Sequence, residues 1–145
     1  MTNKTSYHGD FIANVSSDKA FDGIGHVANW WGKNTEGNSQ KLGGVFTVRF
    51  GETFVKFKVA EYQPDRKITW DVTDCYLHWL DDKSEWKNTS LHWELTNKGE
   101  ATKISFTHEG LVPEIECYQT CVKGWDQYVL GSLQKLLTTG KGAPD

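Results

Sequence analysis

The sequence predicts an α+β fold in which a curved antiparallel sheet of six or seven strands wraps around one long C-terminal helix. Three observations carry this. From Leu42 to Leu111 apolar residues alternate with polar ones at period two, the mark of half-buried strands. From Ile115 to Leu136 they recur every three or four residues, the mark of one helical face. A chain of 145 residues buries enough surface for one core, which gives a single domain over 1–145 with its packed part at about 7–142.

Taken in order, Tyr7 to Ser16 mixes Phe11, Ile12 and Val15 with polar residues and reads as a first strand. Ser16 or Ser17 offers an N-cap to a short helix over Asp18–Asp22, because a serine oxygen can take up an orphan helical amide. Gly23 and Gly25 interrupt it, and His26 to Trp31 makes a second short helix stopped by Gly32. Five strands follow. Phe46, Val48 and Phe50 mark the first, Val55, Phe57 and Val59 the second, and Ile68, Trp70 and Val72 the third, with a turn at Pro64-Asp65-Arg66. Leu91, Trp93 and Leu95, then Ile104, Phe106 and His108, flank an Asn97-Lys98-Gly99 hairpin. Between the third and fourth of these strands Cys75 to Trp86 breaks the alternation and reads as a long loop, whose Asp81–Glu85 run could dock a basic partner but as a charged loop reads first as solvated. Pro113 suits a first helical position, and the helix it opens ends at Gly140.

Composition narrows the partners. A formal charge of -3 with interspersed signs leaves no basic face for nucleic acid, and no apolar run is long enough for a membrane span. Met1 to Asp10 carries no apolar signal core, so the expected compartment is the cytoplasm. There the three cysteines are free thiols and the Asn3, Asn14 and Asn88 sequons carry no meaning. Phosphate loops, serine elbows and HExxH are absent, and no cofactor is expected.

Several motifs together resemble a known family. Trp30-Trp31-Gly32, Gly43-Gly44-Val45-Phe46, Glu61-Tyr62-Gln63-Pro64-Asp65-Arg66 with Ile68-Thr69-Trp70, and Gly124-Trp125 followed by Leu133 are similar to the SRPBCC (START-like) superfamily. Within it they resemble most the bacterial branch akin to the activator of heat-shock-protein-ninety ATPase, the AHSA-like proteins. Asp82-Lys83-Ser84-Glu85-Trp86 and the run from Phe106 to Tyr118 point to a subgroup of small bacterial proteins in that branch. The resemblance implies the helix-grip fold and a cavity between sheet and long helix that holds a hydrophobic small molecule. It also implies two rival functions, a chaperone-interacting module that modulates an ATPase and a cavity-based cyclase, dehydratase or hydrolase. Eukaryotic co-chaperones of the family carry an additional N-terminal domain that this chain has no room for.

If the apolar parity faces inward, Phe46, Phe57, Trp70, Trp93, Phe106 and His108 line the sheet and Trp125 faces them from the helix, with Tyr128 or His108 giving a polar contact. Trp30, Trp31, Trp79 and Trp86 lie on the short helices and the loop and are candidates for a mouth. Each ring has a second reading as core filler. His108 is the one acid/base candidate, and a structural histidine bonded to a neighbouring backbone group or to Glu61, which shares its inward parity, is the alternative. Glu109 and Glu116 face water in this reading. Cys117, Cys121 and His108 make a conceivable zinc set, but no CxxC knuckle accompanies them and no metal is expected. The expected partner is a hydrophobic small molecule, with a chaperone as a further possibility and a monomer or weak dimer as the assembly.

Overall fold

The computed structural model describes residues 6–145; the first five, with the Asn3 sequon, lie outside the described residues. The elements run β1 (Tyr7–Ala13), α1 (Ser17–Gly25), a 3-10 turn (Val27–Asn29), β2 (Asn34–Gly37), β3 (Val45–Phe50), β4 (Thr53–Gln63), β5 (Lys67–Tyr76), β6 (Ser90–Lys98) and β7 (Ala101–Glu109). The C-terminal helix follows as α2 (Tyr118–Trp125), a π-helical stretch (Asp126–Leu133) and α3 (Gln134–Thr139). The strands form one seven-stranded sheet in the order β1-β7-β6-β5-β4-β3-β2, antiparallel at every pairing. This is the α+β architecture that the alternation and the helical period predict, in the arrangement that the resemblance implies.

Register puts the large rings on one face. Phe46 lies opposite Phe57, Val59 opposite Trp70, and Trp93 opposite Phe106. All five of these rings and Trp30 are fully buried. They touch in series: Phe46 and Phe57 have centroids 5.0 Å apart, Trp70 and Trp93 5.5 Å, Trp93 and Phe106 4.5 Å, Phe106 and Trp125 4.7 Å. Such pairs add about 0.5–1.5 kcal/mol each beyond the apolar area they bury.

Four departures from the sequence reading have physical causes. Helix α1 runs through Gly23 to Gly25 instead of stopping at Asp22, and the second short helix shrinks to a single 3-10 turn. Strand β2, Asn-Thr-Glu-Gly, is an edge strand held by main-chain pairing to β3, so no apolar side chain announces it. The β4–β5 register shifts twice, at Lys56/Phe57, where Thr73 of β5 is the extra residue, and at Val59/Glu61, where Ala60 of β4 is, and the second shift reverses the parity of β4. Glu61 therefore points outward to Lys67 (3.4 Å), while Tyr62 turns in against Phe21 (5.1 Å). Glu61 is no partner for His108.

The last helix begins at Tyr118, five residues after Pro113. Its leading amides are capped from across the chain, since the Glu85 carboxylate accepts the N–H groups of Glu116 (2.8 Å) and Cys117 (3.0 Å). Trp125, Val129, Leu133 and Leu137 are buried at successive four-residue steps. On a regular α-helix each such step would drift by about 40°. The wider π turns absorb the drift and keep all four on the sheet. The stretch is anchored where it starts, as Tyr7 Oη donates to Asp126 at 2.6 Å. Gly140, with φ of 86°, closes the helix in the left-handed conformation.

Candidate ligand cleft

A cleft of about 250 Å³ opens between the sheet, the β5–β6 loop and the C-terminal helix. Phe50, Thr53 and Val55 come from the β3–β4 hairpin, and Leu77, Trp79 and Trp86 from the loop. Thr120, Cys121, Gly124, Trp125 and Tyr128 come from the helix, and Trp31 from just after the 3-10 turn. None of these twelve side chains is charged, and six carry aromatic rings.

Trp31 is held through both polar groups of its main chain. Its N–H donates to Val27 O (2.8 Å), its carbonyl accepts the Asp145 N–H (2.9 Å), and the Lys33 N–H returns to Asp145 O (3.1 Å). The adjacent Trp30 is a core plug whose indole donates to Ile24 O (3.1 Å) and whose carbonyl accepts from Ser132 Oγ (2.7 Å). Residues 142–145 thus strap the segment that presents Trp31 to the cleft. The Trp31 ring meets Trp125 at 4.9 Å and Phe50 at 5.7 Å.

Trp125 is fixed by a polar relay. Its indole N–H donates to His108 Nδ1 (3.1 Å), which assigns the His108 proton to Nε2. That proton goes to Thr89 Oγ1 (3.0 Å), and the Thr89 hydroxyl donates to Trp86 O (2.6 Å). Every donor and acceptor of His108 is used. Burial, and then the nearby His92, push its pKa down to about 3, so the ring is neutral at pH 7. His108 sits behind Trp125, sealed from solvent, and is a positioning residue in this geometry rather than an acid or base facing the cleft.

The loop is tied down by reciprocal carboxylates. While Glu85 caps the helix, Glu116 accepts the N–H groups of Asp81 (3.0 Å) and Asp82 (3.2 Å). These backbone bonds hold the Glu116 carboxyl below its ordinary value. Lys83 Nζ donates to Leu80 O (2.6 Å) and His78 O (3.2 Å). The charged run is thus a fastening, not merely a solvated loop, and Glu116 is exposed but bonded. Trp86, 7% exposed, is pinned by its indole N–H to Cys117 Sγ (3.2 Å), whereas Trp79, 48% exposed, stands at the mouth.

The ten sequence-predicted residues divide. Trp31, Trp125 and Tyr128 line the cleft; Trp30, Phe46, Phe57, Trp70, Trp93, Phe106 and His108 are packed behind it. Phe50 shares the inward parity of Phe46 and Val48 and could have been read from it; Leu77, Thr120 and Cys121 gave no periodic signal. Cys121 adjoins Cys117 on the helix, and the hydrogen bond between their thiols, followed by burial, pushes the Cys121 thiol up. All three cysteines are free, and among the described residues no group of three His, Cys, Asp or Glu is placed to hold a metal ion. Nor, among the described residues, is any helix long and apolar enough to cross a membrane.

Comparison with solved structures agrees on the fold. The chain is similar to the Aha1 dimer of Colwellia psychrerythraea, with 20% identity and a TM-score of 0.78 over 95% of this chain and 99% of that one. A protein of Mesorhizobium loti matches with 15% identity and a TM-score of 0.72 over 92% and 96%. DynU16, from a dynemicin biosynthetic locus, matches with 19% identity and a TM-score of 0.67 over 93% of this chain and 48% of that one. No curated protein matches. The model of the family described as Activator of Hsp90 ATPase homolog 1-like protein matches residues 19–138, most of the sheet and nearly all of the last helix. With that match and the helix-grip sheet, the chain belongs to the Activator of Hsp90 ATPase homolog 1-like family, within the SRPBCC superfamily.

Proposed function

We propose that the chain is a binding protein whose cleft takes up a small apolar molecule. One observation carries this: a concave space walled by rings from four separate parts of the chain, two of the rings, those of Trp125 and Trp86, being fixed by buried indole hydrogen bonds. Trp31, Trp125 and Tyr128 are the sequence-predicted residues that this reading assigns to ligand contact; the other rings shape the floor from behind. A cytoplasmic setting accords with three buried, unpaired thiols.

Gly124 supplies the test. A Cβ added there meets no atom within 4 Å, and the residue lines the cleft. Gly124→Leu should keep or raise thermal stability, since leucine exceeds glycine in helix propensity by roughly 0.5–1 kcal/mol. It should also abolish the fluorescence quenching and thermal shift produced by any ligand found in a panel of apolar metabolites. A Gly124→Leu protein that binds as well as the parent would move the site elsewhere.

A second reading, regulation of a chaperone ATPase, is favoured by the description of the matching family. The Colwellia relative is a dimer, which also makes self-association of this chain a proposal. Pull-down with a heat-shock-ninety class chaperone, and its ATPase rate with and without the chain, test it. Absence of binding at micromolar concentration removes this reading.

A further inference from the structure

We infer that the ligand of this cleft is an uncharged, flat aromatic molecule of about two fused rings bearing one neutral polar group, not an acyl chain and not a carboxylate or phosphate ester. The inference rests on the ligand-binding reading above and specifies its chemical class.

Size sets the first limit. At about 250 Å³ the cleft exceeds the roughly 150 Å³ that houses benzene in an engineered cavity and falls below the roughly 300 Å³ at which sites for drug-sized molecules begin. Shape sets the second. Half the lining residues present aromatic rings. Ring faces and edges reward a partner that also has faces and edges, through offset stacking and edge-to-face contact, in a way that a methylene chain does not match.

Charge sets the third limit. No lining side chain is ionic, and two basic residues of the loop, Lys83 and His78, are already engaged. Lys83 is spent on the carbonyls of Leu80 and His78, and His78 Nε2 lies 3.1 Å from Glu52. An anionic head drawn into the cleft would shed water and find no countercharge among the lining side chains. A neutral hydroxyl or carbonyl is served instead. Thr53 Oγ1 accepts the His78 N–H (3.1 Å) and keeps its own proton to donate. Tyr128 is held in its protonated, donating form, burial and then the Asp145 charge raising its pKa.

The test titrates the intact protein with 2-naphthol, its anionic counterpart 2-naphthoate, and 1-decanol, by calorimetry at neutral pH. Binding of 2-naphthol at least about tenfold tighter than either of the others, lost in Gly124→Leu, is the expected result. Thr120→Lys, on an exposed lining position, should raise 2-naphthoate affinity by about tenfold by supplying the missing countercharge. Comparable or tighter binding of 1-decanol or 2-naphthoate to the parent protein overturns the class while leaving the cleft a ligand site. An unchanged 2-naphthoate affinity in Thr120→Lys overturns the charge rule. No binding by any of the three overturns the ligand-binding reading and this inference with it.

Discussion

Replacing His108 by phenylalanine should change how the protein responds to acid. At neutral pH the substitution removes the acceptor of the buried Trp125 N–H, while Thr89 keeps its bond to Trp86 O. One orphaned donor costs about 1–3 kcal/mol, and the similar volume of phenylalanine adds no cavity. The acid response has the opposite sign. The native pKa of His108, about 3, lies below its ordinary value of 6.5, so native and unfolded chains both hold it neutral above 6.5. As pH falls from 6.5 towards 3 the unfolded chain takes up a proton that the native protein refuses, and stability drains at about 1.4 kcal/mol per pH unit. By about pH 4.5 the parent has lost about 3 kcal/mol through this group alone, and His108→Phe has lost none of it. Urea denaturation of both proteins at pH 7 and about pH 4.5 should therefore show the variant weaker by about 1–3 kcal/mol at pH 7, and level or stronger in acid. Carboxylates titrate in both proteins and cancel in the difference. A stability gap that stays constant across this range would refute the buried neutral imidazole.

Other outcomes follow from the same geometry. Glu116→Gln should speed hydrogen exchange at the Asp81 and Asp82 amides several-fold without unfolding the sheet. Because the Glu116 carboxyl is held below its ordinary value, its share of the fastening should persist down to the usual carboxylate range and be lost as pH falls through the lowered value; unchanged exchange would dismiss the fastening. Gly142→Ala would drive a methyl group into Asn29 O and against Ser132. The tail should lift and Trp31 emission shift, at a cost of about 1–3 kcal/mol for the main-chain bonds lost, with a wild-type melting curve the contrary result. The Cys121 thiol, raised in pKa by its Cys117 contact and burial, should react with Ellman's reagent only on denaturation; stoichiometric labelling of the native protein would overturn that.

Much of the fold was legible because side-chain parity is a physical consequence of the pleat. Phe46, Phe57, Trp70, Trp93 and Phe106 all point inward, as alternation requires. What parity lacks is depth. It separates inside from outside but not the floor of a cleft from the core beneath it, so seven of the ten candidate residues lie behind the surface a ligand would touch. Glu61 was misdirected by one extra residue in β4, which alternation cannot register until the partner strand is known. The start of the last helix was hidden for a similar reason: its cap is Glu85, about thirty residues away in the chain, where local capping signals do not reach. The cleft itself depends on loop residues such as Leu77, whose place is set by tertiary bonds and not by any period.

The π-helical stretch has a consequence beyond its own turns. It acts as a phase shifter, fixing the rotational setting of everything after Leu133 relative to Trp125. Removing one residue between Asp126 and Leu133 would turn the remainder by about 100°. Leu137 would leave the core face, and residues 142–145 would swing away from Trp31. The cleft wall is thus geared to the winding of a distant helix segment. Homologues can be expected to tolerate substitutions there more readily than changes in length.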